Sequence, residues 1–135
     1  MTLTIHNSFL PHTDPDASIA FYRDALGFEV RLDVGKGAIR WVTVGPANQP
    51  DTAVVLHPIA ASHGLTDTEK TVLTELVAKG SFFGVILAST DLDATFASLK
   101  EKGAEIIQEP TDQPWGARDM AVRDPSGNLL RIQAI

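Results

Sequence analysis

The chain has no cysteine. That excludes disulfides, thiolate metal sites and a cysteine nucleophile. It fits a reducing compartment. There is no long apolar run. The longest, Phe82 to Ala88, falls far short of the ~20 residues that span a bilayer. The N-terminus lacks the charged-then-apolar pattern of a secretion signal, so a cytoplasmic protein with no membrane partner is expected. Basic charge is also short. Eleven Lys and Arg face seventeen Asp and Glu, leaving a net charge of −6. No basic cluster offsets it, which argues against a nucleic-acid partner. No glycine loop opens a helix, so a phosphate cradle is missing; Gly35 and Gly37 sit in a hairpin turn instead. No serine occupies a strand-to-helix elbow.

What remains is ordinary for a folded domain. Of 135 residues, 44% are hydrophobic and 21% charged. That length suits one domain. The informative feature is an internal echo. Thr13-Asp14-Pro15-Asp16-Ala17 returns as Thr90-Asp91-Leu92-Asp93-Ala94, 77 positions later. An apolar extended segment precedes each copy, Leu3 to Leu10 and Phe82 to Ala88. Each copy then reads as a helix start. Asp14 and Asp91 suit the N-cap, Pro15 the first helical position, and Asp16 and Asp93 the first turn. Ile19, Tyr22 and Leu26 recur with helical period in the first helix; Leu92, Phe96 and Leu99 do so in the second. Gly27 and Gly103 follow as C′ residues.

Three strands follow each helix. They are expected at Phe28–Val34, Ala38–Gly45 and Thr52–His57, then at Ala104–Gln108, Arg118–Arg123 and Asn128–Ala134. Asp124-Pro125-Ser126-Gly127 forms the last turn. Between the halves, Thr66 and Glu69 form a capping box. It opens a helix with a Val72, Leu73, Leu76, Val77 stripe that ends at Gly80. The loop Pro58 to Leu65 before it is expected to be mobile. The expected fold is α+β: two βαβββ modules forming a curved mixed sheet around a cavity, with an extra linker helix. The expected division is one domain over 1–135, with module 1 at about 1–58, the linker at 59–80 and module 2 at 81–135. Phe21, Phe28, Phe83 and Phe96 are assigned to the core.

Two segments carry a resemblance. The stretch from Asp16 to Val30, DASIAFYRDALGFEV, resembles the first helix and strand of the glyoxalase and bleomycin-resistance, or vicinal-oxygen-chelate, superfamily. The stretch from Pro114 to Ile132, PWGARDMAVRDPSGNLLRI, looks like its final hairpin. The resemblance implies the paired-module fold, frequent homodimers, and a cavity on the concave sheet face. Enzymes of the superfamily, such as glyoxalases and extradiol dioxygenases, hold a divalent ion there as a Lewis acid. Other members only bind drugs. Fold does not choose between these; the site must.

The resemblance also implies where metal ligands would stand. One position lies seven residues before the capping aspartate, here Asn7. Its second-module counterpart falls near Phe82 or Gly84. The last-strand position, seven residues after Asp124, is Arg131. The first-module equivalent falls near His57. Phenylalanine and glycine cannot coordinate, and a guanidinium has no lone pair to give. Three His or carboxylate ligands are normally needed. The expectation is therefore no cofactor, with a single divalent ion as the fallback.

The remaining candidates concern ligand contact. Arg131 offers a planar donor fork for an anionic or carbonyl-rich ligand, or pairs with a carboxylate of the chain. Asn7 adds a donor and an acceptor. His57 is the one catalytic candidate, as a general base. Phe9 shares the strand parity of Asn7. Trp41 and Trp115 offer flat apolar walls. Asp112 and Asp119 are expected to be solvated on a hairpin rim. The expected function is metal-independent binding of a hydrophobic planar small molecule, as in drug resistance, in a homodimer. The alternatives are a metal-dependent lyase or dioxygenase with an atypical ligand set, and a regulatory subunit using the fold for protein contacts.

Overall fold

The computed structural model describes all 135 residues. Module 1 runs β1 (Asn7–His12), α1 (Pro15–Ile19), a π-helical turn (Ala20–Ala25), β2 (Glu29–Lys36), β3 (Ile39–Gly45) and β4 (Ala53–Pro58). A 3-10 turn at Ile59–Ala61 and the helix α2 (Asp67–Ala78) link it to module 2. Module 2 runs β5 (Ile86–Ser89), α3 (Leu92–Glu101), β6 (Glu105–Asp112), β7 (Arg118–Arg123) and β8 (Leu129–Ala134). The class is α+β. Each module forms a four-stranded mixed sheet, in the orders β1-β4-β3-β2 and β5-β8-β7-β6. The first strand of each pairs in parallel with the last, and the others pair antiparallel. Register shifts at Val30/Leu32 and Ile106/Gln108 mark bulges that bend the sheets.

The helix starts follow the sequence pattern. Asp14 accepts from the Ala17 N–H and Asp91 from the Ala94 N–H, both at 3.1 Å. The Thr66–Glu69 capping box is reciprocal, at 2.9 and 3.1 Å. Only Val77 of the stripe on α2 is buried, and Val72 stays exposed. The strands are offset from their expected ends. The first begins at Asn7, not Leu3, and the fifth at Ile86, not Phe82. The segment expected to be a mobile loop holds the 3-10 turn, with Ile59 buried.

The first helix departs from a simple α period. After Ile19 it widens, and the Leu26 N–H bonds back to the Phe21 carbonyl at 3.0 Å. A π-turn brings successive side chains closer in azimuth. Phe21 and Tyr22 therefore both turn inward. They join a 12-residue core cluster that draws Leu10, Val42, Val44 and Leu56 from one sheet and Met120, Val122, Leu130 and Ile132 from the other. The helix-bearing faces of both sheets thus share one core. Phe28 and Phe96 pack on its margin. Phe83 does not: it is 82% exposed, its ring tilted against that of Phe82 at 5.6 Å, before β5 begins.

A polar clasp joins the modules at the β7–β8 turn. The Tyr22 hydroxyl donates to Asp124 Oδ2 at 2.8 Å, and Asn128 Nδ2 donates to the Pro11 carbonyl at 2.7 Å. The Thr13 N–H donates to Ser126 Oγ at 3.1 Å. Asp124 Oδ1 collects the N–H groups of Ser126, Gly127 and Asn128. Burial pushes the Asp124 carboxyl up, and these donors partly counter it. Gly127 has φ of +106°, and a Cβ there would lie 2.5 Å from the Ala78 backbone. The end of α2 therefore rests directly on the clasp.

Candidate ligand face

Strand parity divides each sheet into a core face and an open face. On the first sheet, Leu10, Val42, Val44 and Leu56 point to the core. Phe9, Trp41, Thr43, Val55 and His57 alternate with them and fall on the other side. Phe9 is 66% exposed there, and Leu32, Val34 and Ile39 continue the apolar surface. Asn7 is exposed at the start of the same face.

Three of the expected residues meet. The Val42–Leu56 register sets Trp41 opposite His57. The Trp41 Nε1–H donates to His57 Nδ1 at 3.1 Å. The Phe9 ring stands nearly perpendicular to the imidazole, with centroids 6.1 Å apart. Trp41 is half-buried, and its alternation with the core residues Val42 and Val44 places it on the open face.

Arg131 lies on the second sheet, where β8 pairs with β5 and β7. Its Nη1 donates to Asp119 Oδ2 at 3.1 Å and lies 3.5 Å from Gln108 Oε1. Gln113 Nε2 donates to Asp119 Oδ1 at 2.8 Å and to Gln108 Oε1 at 3.0 Å. Asp119 was expected on a solvated rim; its side chain is instead only 5% exposed. Its place on β7, between β6 and β8, removes it from water, and Arg131 and Gln113 supply its bonds. Arg131 does pair within the chain, but only through Nη1. Its other N–H groups have no protein acceptor. Sequence reasoning missed Gln108 and Gln113; only the bulge in β6 and the hairpin loop bring them beside Asp119. Trp115 is at that hairpin's tip, 68% exposed and without a ring partner.

Metal coordination is poorly served here. Phe9 plus 77 is Ile86, and Ile86 pairs with Arg131 as Phe9 pairs with Val55. Arg131's counterpart in module 1 is therefore Val55, with His57 one pleat further on. Asn7 plus 77 is Gly84, where a Cβ would sit 2.0 Å from the Leu129 carbonyl oxygen. No side chain fits there. The four positions read Asn7, Val55, Gly84 and Arg131, which do not fit a divalent ion. Nowhere do three His, Cys, Asp or Glu side chains gather around one point.

The two groups of candidates lie on different sheets. No hydrogen bond or ring contact joins the Trp41–His57 pair to the Arg131–Asp119 network. A cleft of about 780 Å³ runs between the modules, lined by Phe28, Val54, Leu87 and Ile132, among others. None of the six expected ligand residues lines it. No helix is long and apolar enough to cross a bilayer.

Comparison with known proteins agrees with this architecture. UcmS2, known from a crystal structure, superposes with a TM-score of 0.86 at 32% identity, covering 98% of both chains. TnmS3, an antibiotic binding protein from Streptomyces sp. CB03234, superposes at 0.73 with 27% identity, covering 98% of this chain and 96% of that one. YurT of Bacillus subtilis (strain 168), itself uncharacterized, is 34% identical over 125 residues, 88% of this chain and 89% of its own. The profile of the Glyoxalase/Bleomycin resistance protein/Dioxygenase superfamily matches residues 4–132, and the chain belongs to that superfamily.

Proposed function

We propose that the protein is a metal-independent binder of a hydrophobic, planar small molecule, held in a cavity that two copies of the chain complete. The observation that carries this reading is Arg131. It stands where metal-binding relatives place a carboxylate, and buried Asp119 anchors it. A cation fixed there repels a divalent ion and attracts an anionic or carbonyl oxygen. Phe9, Trp41 and His57 supply the flat apolar surface. The likeness to TnmS3, an antibiotic binding protein, supports the same class of role.

What one chain leaves open supports the dimer. β1 and β5 are edge strands, each with one unpaired side. Phe9 and Ile86 on those edges are 66% and 67% exposed. Apolar edge strands left bare invite association. A second copy that set its β5 beside this β1 would bring Arg131 of one protomer toward the Trp41–His57 pair of the other. Such a cytoplasmic dimer would sequester its ligand without chemistry.

Equilibrium binding of a panel of aromatic natural products, with elemental analysis and sedimentation of the same sample, tests this. Saturable binding at one ligand per shared cavity, by a dimer without stoichiometric metal, is expected. Stoichiometric zinc, nickel, manganese or iron that is lost in His57→Ala would replace the reading with a metal-dependent lyase or dioxygenase. A monomer that binds nothing in the panel would refute it.

A further inference from the structure

We infer that Trp41 locks His57 as a hydrogen-bond donor, so that the ligand face selects planar molecules carrying an acceptor oxygen. The inference rests on the binding role proposed above for this face and names the ligand chemistry it takes. The indole Nε1–H can only donate. At 3.1 Å from His57 Nδ1, it requires a lone pair on that nitrogen. A neutral imidazole carries one proton, which must then sit on Nε2. Nε2 has no partner in the chain, and it is not among the polar atoms sealed from solvent without one. Phe9 stands nearly perpendicular to the same ring. The open face therefore presents an Nε2–H.

The second sheet offers the same polarity. Arg131 has only donors, and its Nη1 is already engaged by Asp119 and Gln108. What is left for a ligand is N–H from both sides. A carbonyl, quinone or phenolate oxygen on an aromatic ring satisfies these donors. A ligand that brings its own N–H leaves buried donors facing each other, which is costly.

The same contact weighs against two other uses of His57. To take up a proton at Nε2, the ring would have to carry N–H groups on both nitrogens. Nδ1–H would then confront the indole N–H. A metal bound at Nε2 raises the same conflict, because a ligating histidine normally donates its other N–H to an acceptor. Trp41 stands where that acceptor would be. Trp41 is thus a positioning residue, and the general-base role suggested by the sequence gives way to a donor role.

Three tricyclic probes of one shape test this: 9-fluorenone, with an acceptor oxygen; fluorene, with neither group; and carbazole, with an N–H. Equilibrium dialysis should give fluorenone roughly 3- to 10-fold tighter binding than fluorene, the worth of one neutral hydrogen bond. Carbazole should bind no better than fluorene. His57→Phe should cut the fluorenone preference to the part that the Arg131 donors supply; an unchanged preference would overturn the role of His57. Trp41→Phe, which frees Nδ1, should let carbazole gain on fluorene. Long-range 15N correlation spectra of the ligand-free protein should show protonated Nε2 and bare Nδ1 on His57, with the preference relaxed in Trp41→Phe. A protonated Nδ1 in the wild type, or carbazole binding more tightly than fluorenone, overturns the inference. If none of the probes binds, the selectivity claim and the binding reading of the face both fail. The nitrogen spectra then decide separately whether Trp41 sets the tautomer.

Discussion

Removing one oxygen atom from the clasp should loosen the two modules, and by more at neutral than at acid pH. Tyr22→Phe keeps the ring in the core and deletes only the hydroxyl that donates to Asp124 Oδ2 at 2.8 Å. Both residues are buried, at 1% and 4% exposure. A hydrogen bond to a charged group contributes about 1.5–3 kcal/mol, and Oδ2 keeps Asn128 Nδ2 as its other donor. The loss at pH 7 should therefore be about 2 kcal/mol, near the lower part of that range. For a domain of this size the melting temperature should fall by roughly 6–10 °C.

The pH arm separates this from a packing defect. Burial raises the folded-state pKa of Asp124, while the Tyr22 bond lowers it. Below the unfolded value of about 4, both states are protonated and Asp124 contributes no ionisation penalty. As pH climbs through the folded value, the penalty for ionising a buried carboxyl enters in full. The hydroxyl opposes that penalty, so deleting it should cost more at pH 7 than at pH 4. Urea unfolding of wild type and variant, side by side at both pH values, measures the difference. A loss equal at the two pH values, or below about 0.5 kcal/mol at pH 7, would show that the hydroxyl does not stabilise the Asp124 charge.

Other outcomes follow from the same geometry. His12 is buried, with its ring between Ser18 Oγ at 2.9 Å and the Arg40 carbonyl at 2.8 Å, and burial lowers its pKa below 6.5. Its contribution to stability is present above pH 6.5 and should fade as pH falls through the folded value, which thermal melts from pH 7.5 to 5 would show. Gly127→Ala meets both a left-handed φ and the Ala78 backbone at 2.5 Å, so it should cost more than about 2 kcal/mol in urea unfolding. Arg131→Met leaves the Asp119 carboxylate with Gln113 alone and should destabilise by about 1–3 kcal/mol, less than a fully buried pair because Arg131 is a third exposed. Arg131→Met with Asp119→Leu should recover much of that stability while ligand affinity stays lost; recovery of affinity would show that Arg131 does not touch the ligand.

Local signals were legible because they act within a few residues. Asp14, Asp91 and the Thr66–Glu69 box cap the helices at the positions their spacing indicates. The alternation in β7 and β8 marks the core face that Met120, Val122, Leu130 and Ile132 occupy. The echo at 77 positions holds the module plan, since each copy has the same sheet order. Side-chain placement across elements was less legible. Phe83 looked like core by residue type, yet the chain is not in a strand until Ile86, so nothing turns Phe83 inward. Asp119 looked like a rim carboxylate, because Gln108 and Gln113 reach it only through a bulge and a loop.

The sequence by itself determined the paired-module plan and the helix caps, because these depend on residue chemistry and short spacing. Only the tertiary structure decided that Tyr22 and Asp124, 102 residues apart, close the clasp between modules. It also decided which nitrogen of His57 meets the Trp41 indole, and that Arg131 is anchored on one side and free on the other. Those facts depend on strand register and on a π-turn, which set contacts between residues far apart in the chain and leave no local pattern to read.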